Sequence, residues 1–392
     1  MISVKAAKDL ISENITPLAP VVIDLGQASG LILAANIYAR FDIPAFRQSS
    51  MDGYAMKFAD NEKELQLIGE MAAGTSTHLT ISEGETSRIF TGAPLPDGAD
   101  TVVMQEKIIR TGNKITLQDT NLKSGSNVRG IGSEITAGAL AMEKGDLLSP
   151  AAVGFLAGIG ITEVSVFPSP KVALIVTGRE LQKSGEALAF GQVYESNSYS
   201  LSAALKAEGI ISITVYEADD DLNILQNVLQ TALDKHDLVL LTGGVSVGDY
   251  DFVIEAANRC GVKQIFHKVK QKPGKPLYFG TYNQKLVFGL PGNPSSVLSC
   301  YYNYVLPAIK VLSLKSNPVT EVQAVLSHGY NKPAGLTHFL KGSYENGKVS
   351  PLGAQESYRL SSFAQSNCLI CLNETQENFE AGETVTVLIL PQ

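Results

Sequence analysis

The sequence predicts a multidomain α/β and β protein: a discontinuous helical domain interrupted by an all-β insertion, a central α/β domain with a mostly parallel sheet, and a C-terminal β-barrel-like domain. Three observations predict it. The chain has 392 residues, too many for one compact core. Short β-like runs between Gly, Pro, Asp and Asn turns fill 41–134, whereas strands alternate with helices after Pro168 and Pro170. Beyond Asn317-Pro318 the pattern becomes alternating apolar and polar residues, rich in Gly and Ser. The expected boundaries are 1–40 with 135–167, 41–134, 168–316 and 317–392.

The elements follow in order. Ser3 can cap a helix whose Val4, Ala7, Leu10 and Ile11 share one face. A strand at 21–25 follows, with Asp24 as a cap for the Ala-rich stretch after it. The insertion carries strands near 65–68, 101–105 and 114–117. Residues 137–161 read as helix-like, Gly-rich packing. The α/β part then gives a strand at 171–176, a helix capped by Ser196 or Asn197, a strand at 212–216, a helix at 222–233 and a strand at 238–241. A helix at 252–258, strands at 264–267 and 286–288, and a long helix at 294–312 complete it. Asn293 is placed to cap that last helix and Pro294 to start it.

Composition narrows the function. Hydrophobic residues are 44% and charged residues 18%, with a net charge of −8. An acidic chain is a poor general binder of nucleic acid, so none is expected. The N-terminus shows no basic stretch followed by an apolar one, and the longest apolar run, 151–161, is too short for a bilayer. The expectation is a cytoplasmic protein with no membrane partner. Cys368 and Cys371 form a lone C-x-x-C on an expected strand, where positions three apart face opposite sides. They read as small apolar residues rather than a metal or redox pair.

Three polar, Gly-rich loops each follow an expected strand: Thr177-Gly178-Arg179-Glu180, Thr242-Gly243-Gly244-Val245-Ser246-Val247-Gly248-Asp249 and Gly289-Leu290-Pro291-Gly292-Asn293-Pro294-Ser295-Ser296. In a parallel α/β sheet, ligands bind beyond the carboxyl ends of the strands. Glycines let backbone N–H groups turn toward an anion, and a helix N-terminus adds its positive end. One such loop is as readily a tight turn; three on one edge favour a phosphate or oxyanion site.

Charged residues gather around these loops. Lys272-Pro273-Gly274-Lys275-Pro276 offers two cations on a stiff turn. Asp219, Asp220 and Asp221 start a helix, where acidic groups commonly serve the helix dipole. Glu180 and Asp251 border the expected anion loops, and carboxylates beside phosphate call for a divalent cation such as Mg²⁺. In the insertion, Ser49-Ser50-Met51-Asp52-Gly53-Tyr54-Ala55 and Thr91-Gly92-Ala93-Pro94-Leu95-Pro96 are turn-rich loops, each offering a polar residue.

Taken in order, Ser50-Met51-Asp52-Gly53-Tyr54-Ala55, Thr91-Gly92-Ala93-Pro94, the Thr242 loop, Lys272-Pro273-Gly274-Lys275-Pro276 and Gly289-Leu290-Pro291-Gly292-Asn293-Pro294 give the chain a resemblance over essentially its whole length. It resembles the molybdopterin molybdotransferases, the family of bacterial MoeA and the E domain of gephyrin. The resemblance implies insertion of molybdate into adenylylated molybdopterin with release of AMP, dependent on Mg²⁺. It implies a homodimer, a molybdopterin adenylyltransferase upstream, and a site shared between subunits. By the same resemblance, Gly243, Gly244, Ser246 and Gly248 hold the pterin phosphate end with Pro291, Gly292, Asn293, Pro294 and Ser295. Lys272 and Lys275 attract molybdate and phosphates, and Glu180, Asp220 and Asp251 hold Mg²⁺ and the substrate. Asp52 and Thr91 come from the facing subunit, and Glu134 takes a position that is acidic in the family. One departure stands out: the family usually places an arginine where this chain has Lys341. A lysine offers a point charge instead of a planar fork, and Arg359, Ser361 and Ser362 are candidates to share the molybdate role with it.

Two other readings compete. A molybdopterin adenylyltransferase uses a similar α/β domain but is a shorter chain, which the first 165 residues and the last 75 or so argue against. A receptor-clustering scaffold like full-length gephyrin needs a trimerising domain and a long disordered linker, and neither is legible here.

Overall fold

The computed structural model describes residues 1–245 and 252–391. The chain divides into two compact units, Met1–Val22 with Gly30–Ile32 and Ser165–Gln392, and Ile23–Ser29 with Leu33–Val164.

The first unit is built on a six-stranded sheet. Ile213–Ala218, Val172–Thr177, Leu238–Thr242 and Lys285–Leu290 lie side by side and parallel. Tyr278–Tyr282 runs antiparallel to the last of these, and Lys263–His267 runs antiparallel to it in turn. Tyr278–Tyr282, just beyond the Lys-Pro-Gly-Lys-Pro turn, is a strand in addition to those expected from the sequence. Val172–Thr177 and Leu238–Thr242 are buried at every position. Val172, Leu174, Leu238 and Leu240 face one apolar cluster, while Ala173, Ile175, Val239 and Leu241 face another. A strand covered on both faces must be apolar throughout, which is why these segments read as continuous hydrophobic runs.

Helices cover the sheet. Leu222–Lys235 is capped by Asp221, which accepts from the N–H groups of Asn223 and Ile224. Of the three consecutive aspartates, only this one serves the helix in the expected way. Ser3 caps Val4–Glu13, accepting from Ala6 N–H at 3.1 Å. The apolar face of that first helix, Ala7 and Ile11, joins the α/β core beside Leu312. The long helix expected over 294–312 is present but interrupted: Pro294–Cys300 and Leu306–Leu312 flank a π-helical turn at Tyr301–Val305.

The C-terminal part closes into a barrel. Thr337–Glu345, Lys348–Pro351, Thr320–Leu326, Thr384–Ile389 and Cys368–Leu372 pair in that order, and the last returns to pair with the first. Closure leaves no free edge inside the ring. Cys368 packs with Ile370, Leu372, Val385 and Val387, whereas Cys371 packs with Leu369 and Phe339 on the other face. The two thiols diverge, as strand alternation requires. A short strand from the α/β part, Gln271–Lys272, adds in parallel to Thr337–His338.

The second unit holds the all-β insertion. Its six-stranded sheet runs Thr101–Met104, Gly53–Met56, Glu85–Ile89, Leu65–Met71, Lys114–Leu117 and Ile108–Thr111. The segment read as helix-like over 137–161 carries one helix, Pro150–Gly158, capped by Ser149. The remainder is strand and turn, with Gly138 and Gly145 at positive φ. Small residues that favour close helix packing serve equally as turn positions, and the turns win here. Among the described residues, no helix is long and apolar enough to cross a membrane.

Candidate functional site

The carboxyl ends of the parallel strands deliver their loops to one place. A cavity of about 280 Å³ is lined by Thr177, Gly178 and Glu180 from the first loop, Thr242, Gly243 and Gly244 from the second, and Pro291 and Gly292 from the third. Asn197, Asp220 and Pro276 also line it. Glu180, Asp220, Gly243, Gly244, Pro291 and Gly292, all named from the sequence, are thereby brought together. Ser246, Gly248 and Asp251 lie outside the described residues.

The packing explains the glycines. Gly243 sits at φ +87°, and a Cβ there would stand 2.9 Å from the Thr177 carbonyl oxygen. Any side chain would separate the first two loops. Gly243 Cα also lies 3.8 Å from where a Cβ on Gly292 would be, so the second and third loops touch.

Two residues lining this cavity carry buried polar atoms with no partner among the described residues, Asn197 Oδ1 and Thr242 Oγ1, and Ser295 Oγ, on the helix that follows the third loop, is another such atom. Unpaired buried polar atoms are costly, and they are tolerated where a ligand or water completes them. Asn197 was read from the sequence as a cap at most. The structure turns it inward, with Nδ2 donating to the Gly292 carbonyl at 2.9 Å. Only the tertiary approach of the third loop reveals that role. Asn293 occupies the N-cap position of Pro294–Cys300 without making the cap hydrogen bond. Its Nδ2 donates instead to Ser357 Oγ at 2.9 Å, and Ser295 N–H donates to the Ser357 carbonyl. The barrel's loop thus leans on the start of this helix.

Charge is distributed unevenly. Asp220 Oδ2 accepts from Arg179 N–H at 3.2 Å, which ties the second aspartate of its run to the first loop. Lys272 and Lys275 are exposed, on either side of buried Gly274. Lys272 pairs in register with His338 on the barrel. Burial first, then the nearby Lys332 and Lys272, pushes the His338 imidazole down to about 4. It is therefore neutral at ordinary pH and adds no charge beside Lys272.

Lys341 is placed differently from a solvated anion ligand. It is 2% exposed, and its Nζ donates to the carbonyls of Ala354, Glu356 and Arg359 at 2.7, 3.3 and 3.0 Å. An ammonium has three N–H groups, so in this arrangement none is left for molybdate. Burial also lowers its pKa. Ser362 Oγ donates to two of the same carbonyls, Ala354 and Arg359. Both residues shape the 354–359 loop that carries Ser357. Lys341→Met should strip those carbonyls of the ammonium and lower the unfolding free energy by about 2–3 kcal/mol, read from urea midpoints. An unchanged midpoint would show that the three contacts contribute nothing.

In the second unit, two sequence candidates meet. Asp52 Oδ1 accepts from Thr91 N–H at 2.8 Å and from Thr91 Oγ1 at 2.9 Å. The backbone donor first, then the hydroxyl, holds the Asp52 carboxyl below its ordinary pKa, with Arg88 adding to the effect. Arg88 was missed from the sequence. Its guanidinium lies 5.2 Å from the Tyr54 ring centroid and 4.8 Å from that of Phe90, and it donates to the Gly53 carbonyl at 2.9 Å. It braces the turn next to Asp52. Its strand, Glu85–Ile89, is polar at four of five positions, and nothing in the sequence separates such a clamp from an exposed arginine. Glu134 is exposed in the same unit.

Comparison with known proteins agrees with this architecture. Residues 2–160 match the model for the MoeA N-terminal region (domains I and II), 173–311 a probable molybdopterin-binding domain, and 323–390 the MoeA C-terminal region (domain IV). The molybdopterin molybdenumtransferase of Staphylococcus aureus is 32% identical over 99% of this chain and 95% of its own. That of Staphylococcus epidermidis is 34% identical with the same coverage. A crystal structure of the MoeA molybdopterin biosynthesis protein of Pyrococcus horikoshii superposes with a TM-score of 0.74 at 30% identity, covering 99% of this chain and 100% of that one. A second structure of MoeA from that organism gives 0.81 at 27% identity over the whole of both chains. The chain belongs to the MoeA family of molybdopterin molybdenumtransferases, enzymes of molybdenum cofactor biosynthesis.

Proposed function

We propose that this protein transfers molybdate to adenylylated molybdopterin with release of AMP, in a reaction that requires Mg²⁺. The observation that carries this reading is the cavity at the carboxyl edge of the sheet, where three Gly-rich loops meet with unpartnered polar atoms and two carboxylates. Such a wall suits a substrate that is anionic at one end and rich in hydrogen-bonding groups.

The residues fit a magnesium ion. Glu180 and Asp220 both line the cavity and supply hard oxygen donors, and Mg²⁺ is commonly held by one or two carboxylates, with phosphate and water completing its shell. When bound, the ion offsets negative charge on the phosphates. The chain's own residues do the rest. Gly243, Gly244, Pro291, Gly292, Asn293, Pro294 and Ser295 hold the pterin phosphate end. Lys272 and Lys275 draw molybdate beside it. Positioning and charge neutralisation are the catalytic contribution, and no protein nucleophile is invoked. Asp52 and Thr91 reach the same centre from the other subunit of a homodimer. AMP release should require molybdate and Mg²⁺ together; equal release without molybdate would make the protein a hydrolase of the adenylylated pterin.

The homodimer has support in the second unit. Pro150–Gly158 contains only Pro, Ala, Val, Gly, Phe and Leu, yet Leu156 is its one buried residue. A helix apolar on every side is normally enclosed, and a second copy is the cover we infer. Ala151→Glu should turn the dimer into a monomer by light scattering, a loss of about half the mass. A variant that stays dimeric would move the interface elsewhere. We place the enzyme in the cytoplasm, downstream of a molybdopterin adenylyltransferase, with no membrane or nucleic-acid partner.

A further inference from the structure

The turn that presents Lys272 and Lys275 is held from beneath by a buried polar cluster. Gln271 is 1% exposed. Its Nε2 donates to the Gly274 carbonyl at 3.1 Å and lies 3.6 Å from Cys300 Sγ. Its Oε1 accepts from the Tyr304 hydroxyl. The Cys300 thiol also reaches the Gly274 carbonyl, at 3.8 Å. Cys300 and Tyr304 are 0% and 1% exposed.

The cluster has a definite logic. A side-chain amide can donate to a carbonyl and accept from a phenol at once; a carboxylate can only accept, and an apolar chain can do neither. Burial pushes the Cys300 thiol up to about 12 and the Tyr304 phenol well above its usual value, so neither carries charge at neutral pH. Gly274 leaves no room for change. It sits at φ +84°, and a Cβ there would stand 2.5 Å from Cys300 Sγ and 2.9 Å from Gln271 Nε2. The π-helical turn Tyr301–Val305 is what carries Tyr304, and such insertions recur at functional places in helices. Fully paired buried networks make their surroundings rigid. Here the rigid atom, the Gly274 carbonyl, belongs to the residue just before Lys275, and Gln271 is the residue just before Lys272.

We propose that Gln271, braced by Tyr304 and Cys300, is a positioning residue that fixes the spacing and direction of Lys272 and Lys275 for anion capture. This rests on the reading of those lysines as molybdate and phosphate holders. Two exposed lysines on a loose turn would each lose backbone as well as side-chain freedom on binding; on a clamped turn the backbone part is already settled. The contribution falls on capture of the anion, so it should appear in half-saturation more than in turnover.

The test compares AMP release against molybdate concentration for wild type, Tyr304→Phe, Gln271→Met, Lys275→Ala and the Tyr304→Phe/Lys275→Ala double variant, with melting temperatures alongside. Tyr304→Phe removes one oxygen, and Gln271→Met keeps the volume, so both should fold. Each should raise the half-saturating molybdate concentration by about fivefold, the usual size of one lost neutral hydrogen bond, with turnover at saturation within about twofold. In the Lys275→Ala background the Tyr304→Phe effect should shrink to under about twofold, because coupled residues are not additive. Raised half-saturation in Lys275→Ala, with wild-type values in Tyr304→Phe and Gln271→Met, would overturn the positioning role and leave the lysines standing. An equal Tyr304→Phe effect in both backgrounds, with lower turnover and melting temperature, would also overturn it. Wild-type half-saturation in Lys275→Ala would overturn the lysine reading, and this inference with it.

Discussion

Glu180→Gln should lower the rate of AMP release roughly 100-fold, a loss of ~2.7 kcal/mol of transition-state stabilisation. The substitution keeps the size of the side chain and removes its charge. Glu180 is exposed and lines the cavity beside Asp220. An exposed carboxylate contributes little to folding, so the melting temperature should stay within about 2 °C of wild type. Separation of the two effects is the informative part: a residue kept for function loses rate without losing stability. Part of the lost rate should return at higher Mg²⁺ concentration if the carboxylate helps retain the ion. Asp220→Asn should resemble it, whereas Asp220→Ala should add a stability cost, because it removes the oxygen that accepts from Arg179 N–H. Wild-type rate for Glu180→Gln at limiting Mg²⁺ would remove Glu180 from the mechanism.

The second large effect concerns sharing between subunits. At limiting molybdate, Asp52→Ala and Lys275→Ala homodimers should both be nearly inactive if the two residues serve one composite centre, the second because it needs far more molybdate to fill its site. Mixed and allowed to exchange, they should recover about a quarter of wild-type activity per chain, since half the dimers are mixed and each mixed dimer keeps one intact site. Asp52 is suited to a direct role: two donors from Thr91 hold it ionised at the surface. Thr91→Val should weaken the same function less severely, because it removes the hydroxyl donor and leaves the backbone one. Heterodimers confirmed by mass yet wholly inactive would place both residues in a site formed by one chain.

How far these features could be read in advance differs by the kind of interaction that makes them. The parallel strands were legible because Val172–Thr177 and Leu238–Thr242 are buried on both faces and punctuated by Gly-rich loops. Local chemistry sufficed there, and the convergence of the three loops followed from the rule that parallel strands point their carboxyl ends one way. Asp52 and Thr91 were legible as polar residues in turn-rich loops, although their contact was not. The helix-like reading of 137–161 erred because Ala and Gly serve helix packing and turns alike; apart from Pro150–Gly158 the turns prevail. The expected Lys341 role drew on a charge at a family position. Burial beneath three carbonyls depends on how the 354–359 loop folds back over the barrel, and no local pattern encodes that. Asn197, Arg88 and Gln271 share this reason. Each acts through a partner between 33 and 95 positions away, so its role exists only once the chain has folded.

The central claim is that one enzyme joins molybdate to the pterin as AMP departs. The most direct measurement counts both products in the same reaction. Purified protein, adenylylated molybdopterin, molybdate and Mg²⁺ are incubated, and AMP is quantified together with finished cofactor, the latter by its ability to activate a molybdenum enzyme lacking it. The account predicts AMP and active cofactor in equal amounts, both rising with molybdate and both absent without it. AMP formed at the same rate with molybdate omitted, or AMP formed with no active cofactor, would contradict it.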